Sequence, residues 1–237
     1  MRLDGRVLQG PVQTMPSLPN GSALWQSYSG IAESEDIPFD RPDTAEGRSL
    51  RSFEFGASHQ VYTTNTSVIN ALRFGSSNFT IRFWLKYSKS PAGTYHRLLS
   101  FNGLEQVQAS EWNILSTDGS NLLFSFLQTS GVAVDIAFGS TADAVGKWAL
   151  YEVNRRGEMF YFYCNGQLIR TDVNSSPVKA QPDRGFYLGS FWRSAIGSPG
   201  VQQHQVPAGT KMTQVEVYKG VSRWNSGHLL LKYPWGS

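Results

Sequence analysis

From Ser49 onward, apolar and polar residues alternate along much of the chain. "RSFEF" places Phe53 and Phe55 on one face. "NFTIRFWLKYS" sets Phe79, Ile81, Phe83 and Leu85 against Thr80, Arg82, Trp84 and Lys86. A period of two is the signature of a β-strand with two unlike faces. "EWNILSTDGSNLLFSFLQ" reads as strand, Asp-Gly turn, strand, and "QTSGVAVDIAFG" adds a further turn and strand. "KWALYEVNRRGEMFYFYCNGQLIRT" predicts a three-stranded meander turning at Arg156-Gly157 and Asn165-Gly166. Asn-Gly is a strong hairpin signal, because both central residues of a type I′ turn need positive φ. "RGFYLGSF" and "KMTQVEVYK" supply the last strands. Roughly a dozen strands with frequent turns predict a sandwich. No stretch of about ten residues carries a helical period, and no internal repeat is visible.

Two details of phase sharpen this picture. In "EMFYFYCNG", Phe160, Phe162 and Cys164 share one face, and Met159, Tyr161 and Tyr163 share the other. Both faces are apolar, so this strand is expected to be covered on both sides. In the last strand, Val215 and Val217 are expected inward, with Gln214, Glu216 and Tyr218 outward. Gly220 lets the chain leave the sheet, and Val221 and Trp224, one helical turn apart, are expected to plug an end of the sandwich.

Residues 1–48 are different. "GPVQTMPSLPNGS" and "EDIPFDRPDTAEG" are rich in proline and lack sustained periodicity. Proline removes a ladder donor and holds its predecessor extended. This stretch is expected to be a docking arm, with Pro11, Pro16, Leu18, Pro19, Leu24 and Trp25 as its contact residues and one short strand near "ALWQSYS". The predicted organisation is therefore an arm over 1–48, a sandwich over 49–225 and a tail over 226–237.

Composition narrows the function. Charged residues are 16% of the chain, below the roughly 25% of ordinary globular proteins, while Phe, Tyr and Trp are abundant. A net charge of +3, with Arg155-Arg156 as the longest basic cluster, lacks the concentrated stripe of a nucleic-acid binder. The N-terminal "MRLDGRVLQG" has no apolar core of a secretory signal, and no apolar run reaches membrane-spanning length, so synthesis in a cytoplasm without membrane insertion is expected. The lone Cys164 excludes an intrachain disulfide and reads as a small buried hydrophobe.

The chemistry of an enzyme is hard to assemble. Glu54, Asp135, Glu152, Glu158 and Glu216 are isolated along the strands, whereas a glucanase of this architecture sets paired carboxylates on one strand. No G-x-S-x-G occurs. His59, His96, His204 and His228 have no metal-ligand spacing. No catalytic residue, metal or cofactor is therefore expected. A sugar site remains open, since it needs aromatic platforms and a few fixed polar groups. The candidates are Trp112, together with Trp192 and Arg193 at the head of the long loop "GSFWRSAIGSPGVQQHQVPAGT".

In their order, "RSFEFGASHQVYT", "NFTIRFWLKYS", "GKWALYEVNRRGEMFYFYCNGQLI" and "FYLGS" resemble the laminin G-like / concanavalin A-like family. The resemblance implies an all-β jelly-roll sandwich over about residues 49–225. The last strand, "TQVEVYKGVSRW", is similar to the "DEVRITKGVARY" type ending of domains in structural proteins of tailed bacteriophages. That ending implies a non-enzymatic virion protein, most simply a capsid decoration protein anchored by its arm to other virion proteins and forming homo-oligomers. A glycan-binding module aiding host adsorption is the alternative. The family's acidic pair after the first strand is replaced by "GASHQ", Gly56 to Gln60, and Gln214 stands where an acid is usual. No calcium site is carried over.

Overall fold

Asn165 and Gly166 both take positive φ, 50° and 78°, and close the expected two-residue hairpin with Cys164 opposite Gln167. The preceding turn is Gly157-Glu158 rather than Arg156-Gly157. Met159 pairs with Arg156, and Gly157 carries the positive φ of 58°. The computed structural model describes residues 2–3, 27–38, 52–63, 66–89, 95–102, 110–117, 121–181, 185–192 and 202–220. Its strands are β1 (Arg2–Leu3), β2 (Ser27–Ser34), β3 (Ser52–Thr63), β4 (Phe79–Lys86), β5 (His96–Asn102), β6 (Trp112–Ser116), β7 (Asn121–Leu127) and β8 (Ala133–Ser140). They continue as β9 (Ala149–Arg156), β10 (Met159–Cys164), β11 (Gln167–Val173), β12 (Gly185–Leu188), β13 (Phe191–Trp192), β14 (Gln202–Gln203) and β15 (Lys211–Lys219).

The hydrogen-bonded order is β11-β10-β9-β4-β15-β3-β12-β5-β6-β7-β8, and these neighbours run antiparallel. β3 is the corner. Phe53 and Glu54 at its start pair with β15, and Val61, Tyr62 and Thr63 at its end pair with β12. The path thus folds into two antiparallel sheets, β11-β10-β9-β4-β15-β3 and β3-β12-β5-β6-β7-β8. The result is the expected all-β, concanavalin A-like sandwich. At its open side β11 lies along β8, where Arg170 Nη1 donates to the Ala137 carbonyl at 2.6 Å.

Between the sheets lies an aromatic core. Phe126 and Phe160 stack with centroids 5.5 Å apart, and Phe138 stacks on Phe162 at 5.1 Å. Phe124 bridges to Phe79 and Phe160, both at 5.9 Å. Offset contacts of this kind add to the area that each ring removes from water. Val215 and Val217 are buried in this core as their phase predicts, and Gly220 leaves β15 at φ 83°. Glu216 is also buried, so its position on the outer face of the last strand is covered rather than solvated. Val221 and Trp224 lie outside the described residues.

Three features depart from the pattern reading. A seven-residue helix, α1 (Thr66–Leu72), follows β3 and buries Ile69 and Leu72, one turn apart. Arg155, half of the basic cluster, points inward. It donates to the carbonyls of Gly157, Gly75 and Ser176 at 2.9–3.1 Å and sits over the Phe160 ring. Finally, Ser27–Ser34, within the stretch read as an arm, pairs with β3 along the domain's own sheet. Beyond it, Ile37 packs on a small outer cluster with Trp84, Leu150 and Trp148. Pro11, Pro16, Leu18, Pro19, Leu24 and Trp25 lie outside the described residues. Among the described residues, no helix is long and apolar enough to cross a membrane.

Candidate functional site

Four consecutive strands, β5 to β8, present one outer face whose residues are out of phase with the core. The register makes two rows across it. Arg97 faces Leu115, Leu115 faces Leu123, and Leu123 faces Ala137. In the next row Ser100 faces Asn113, Asn113 faces Ser125, and Ser125 faces Asp135. Cross-strand neighbours stand about 5 Å apart, so each row is a strip of touching side chains.

A wall rises at the edge of these rows. Tyr95, just before β5, is 52% exposed. His204, just after β14, holds a positive φ of 55°. Its Nδ1 lies 3.0 Å from the Tyr95 carbonyl, so the proton sits on Nδ1 and Nε2 is an acceptor. The two rings stand edge to face, 6.4 Å apart at 80°. The Arg97 N–H donates to the His204 carbonyl at 2.8 Å, which fastens the wall to β5. Tyr95, Arg97, Leu115, Leu123, Ser125, Asp135 and His204 enclose a pocket of about 450 Å³. Small-molecule sites commonly fall in the range of roughly 300–1,000 Å³.

The electrostatics of the pocket are balanced. Burial lowers the Arg97 guanidinium to about 10, against the opposing pull of Asp135, so it remains a cation at neutral pH. Arg97 Nη1 also donates to Ser110 Oγ at 3.4 Å. Burial lowers His204 as well, with the Tyr95 carbonyl opposing and the Arg97 charge adding to it. The imidazole is therefore neutral at pH 7. One cation, one exposed carboxylate, a hydroxyl and a neutral imidazole surround two leucines. That set offers donors and acceptors to hydroxyl groups and an apolar surface to C–H faces.

The residues expected from sequence fall elsewhere. Trp112 is corrected: it points from β6 into the core, is fully buried, stacks on Phe74 at 5.2 Å and donates Nε1–H to the Leu72 carbonyl at 3.0 Å. It cannot serve as a platform for a ligand. Trp192 lies in β13 opposite Gln202, and Arg193 lies outside the described residues. The loop they head is nonetheless close to the pocket in the chain, because β14 leads directly into His204. Asp135 was legible only as an isolated acid. The remaining pocket residues carry no motif, and their one signal is that they sit out of phase with the core.

Among the described residues, the other groups singled out in the sequence sit apart from the pocket. Burial pushes the Cys164 thiol up to about 11, which keeps it protonated and unreactive at neutral pH. Glu152 and Glu216, isolated in the sequence, both face Arg82 in the register of the first sheet. Both are buried there, away from the pocket. Among the described residues, no three of His, Cys, Asp and Glu gather as a metal site.

A family model for the concanavalin A-like lectin/glucanases superfamily, of laminin G type, matches residues 55–221. The chain belongs to the concanavalin A-like lectin/glucanases superfamily. Among solved structures, this superfamily member is similar to the binding domain of botulinum neurotoxin serotype G. The TM-score is 0.54 at 10% identity, covering 82% of this chain and 42% of that one. It is similar also to the binding domain of Paraclostridial Mosquitocidal Protein 1, with a TM-score of 0.53 at 14% identity, covering 85% of this chain and 45% of that one. The receptor binding domain of botulinum neurotoxin mosaic serotype C/D gives a TM-score of 0.51 at 11% identity. The chain thus spans less than half the length of these relatives, and the likeness is one of fold. No curated protein matches it.

Proposed function

We propose that this domain is a lectin-like module that binds carbohydrate without transforming it, through the pocket between Tyr95 and Asp135. The observation that carries the reading is the pocket's mixed lining. Tyr95, Leu115 and Leu123 offer apolar surface for the C–H face of a sugar, while Arg97, Ser125, Asp135 and His204 offer polar groups for its hydroxyls. Membership of a lectin-type superfamily supports the same reading. A glycan array followed by calorimetry tests it. Tyr95→Ala is expected to weaken binding at least about tenfold, in line with the loss of a stacking ring, while the thermal midpoint holds because Tyr95 is exposed. Ser125→Trp, which fills the pocket, is expected to abolish binding. A wild-type protein that binds no glycan, or binding indifferent to both substitutions, would overturn the assignment.

For the setting, we propose the surface of a tailed-bacteriophage virion. The chain would be made in the host cytoplasm and act on the particle as a homo-oligomeric decoration or tail-associated protein, with the residues of 1–48 other than β1 and β2, which pair within the domain's own sheet, docking on other virion proteins. The phage-type ending "TQVEVYKGVSRW" supports this. Mass spectrometry of purified particles is expected to find the chain at a fixed copy number. Its absence from the particle would sink the setting and leave the sugar site standing.

A further inference from the structure

We propose that the pocket selects uncharged sugars and that Asp135 is the residue that turns carboxylated ones away. The inference rests on the carbohydrate-binding reading and specifies its ligand class. A buried arginine at the floor of a pocket would ordinarily invite a carboxylate. Here that charge is already answered. Asp135 is exposed on β8 at the pocket's rim, and its field acts on Arg97 from across the sheet. His204 adds no positive charge at neutral pH. The lining is therefore one cation and one anion, with no surplus for an anionic ligand to neutralise.

The two ligand types meet these groups differently. A neutral sugar with adjacent hydroxyls donates to the Asp135 carboxylate, which when ionised is an acceptor only, and accepts from Arg97. Both charges then keep a partner, and the paired leucines 115 and 123 shelter those bonds from water. A sugar carboxylate approaching Arg97 must pass the rim carboxylate, and the like charges repel. Such repulsion is how binding sites commonly exclude a competitor of similar shape.

The test uses matched ligands: neutral gluco-, galacto- and manno-oligosaccharides and their C6-oxidised uronate counterparts, titrated calorimetrically at low salt into the full chain. The wild type is expected to bind the neutral member of a pair at least about tenfold more tightly than its uronate, and rising salt should narrow that ratio. Asp135→Asn keeps shape and removes the negative charge from the pocket lining. It is expected to gain uronate affinity and to close or invert the ratio, with an unchanged thermal midpoint because the side chain is exposed. Asp135→Glu, which keeps the charge, should preserve the neutral preference. Equal or tighter binding of the uronate by the wild type, or an unchanged ratio in Asp135→Asn, would overturn the selectivity while leaving the binding module intact. Failure of every ligand of both sets to bind would overturn the binding module and the selectivity together.

Discussion

Trp112 shows what a single residue's environment decides. A tryptophan in a lectin-type fold invites a functional reading, yet its phase with Ile114 on β6 sends it inward. There its indole N–H closes the C-terminal turn of α1 by bonding the Leu72 carbonyl, one of the helix-end acceptors that lack an intrahelical partner. Trp112→Phe keeps the ring and leaves that carbonyl unsatisfied in the core. The expected loss is about 1–3 kcal/mol, read from the urea midpoint, with sugar affinity unchanged. A loss of binding without a loss of stability would restore Trp112 to the site. The phase of "EWNIL" was visible in the sequence, with Trp112 and Ile114 on one face and Asn113 and Leu115 on the other, but phase alone did not say which face turns inward. Only the structure shows that one face is core and the other the floor of a pocket.

At the scale of elements, the turns were the most legible feature. Asn165-Gly166 falls where its chemistry demands, because few other residue pairs accept two consecutive positive φ values. The strands β4, β9 and β10 follow their alternation residue by residue. Two elements did not announce themselves. α1 has seven residues, less than two full turns, so no period could emerge from it. β3 runs for 12 residues through Gly56 and changes partner midway, and its sequence does not say where one sheet hands over to the other. The pocket was illegible for a related reason. It depends on the register of four strands and on His204, which is 107 positions from Arg97 along the chain. Alternation gives each strand its two faces, whereas register decides which residues become neighbours.

Over the whole molecule, one carboxylate ties together four distant segments. Asp36, just beyond β2, accepts from Lys86 Nζ at 2.8 Å, Lys211 Nζ at 2.9 Å and Trp148 Nε1 at 2.9 Å. Its own carbonyl accepts from Ser52 Oγ at 2.7 Å. The N-terminal segment is thereby clamped to β4, to β15 and to the entry of β9, on the outer face of the first sheet. Burial alone would raise the Asp36 carboxyl, but the bonds from Lys86, Lys211 and Trp148 and the Lys211 charge outweigh it and lower it to about 2. A carboxyl whose folded value lies below its unfolded one stabilises the fold above the unfolded value, near 4, and loses that contribution as pH falls toward 2. The side chain is 31% exposed, so solvent screening reduces the contribution to about 1–2 kcal/mol. Asp36→Asn should therefore melt below the wild type at pH 7, and the gap between the two should shrink between pH 4 and pH 2. High salt at neutral pH should shrink it as well. A gap that held constant across that acid range would mean that the charge on Asp36 does not hold the segment down, and would leave the packing of Ile37 against Trp84, Leu150 and Trp148 as the contact that does.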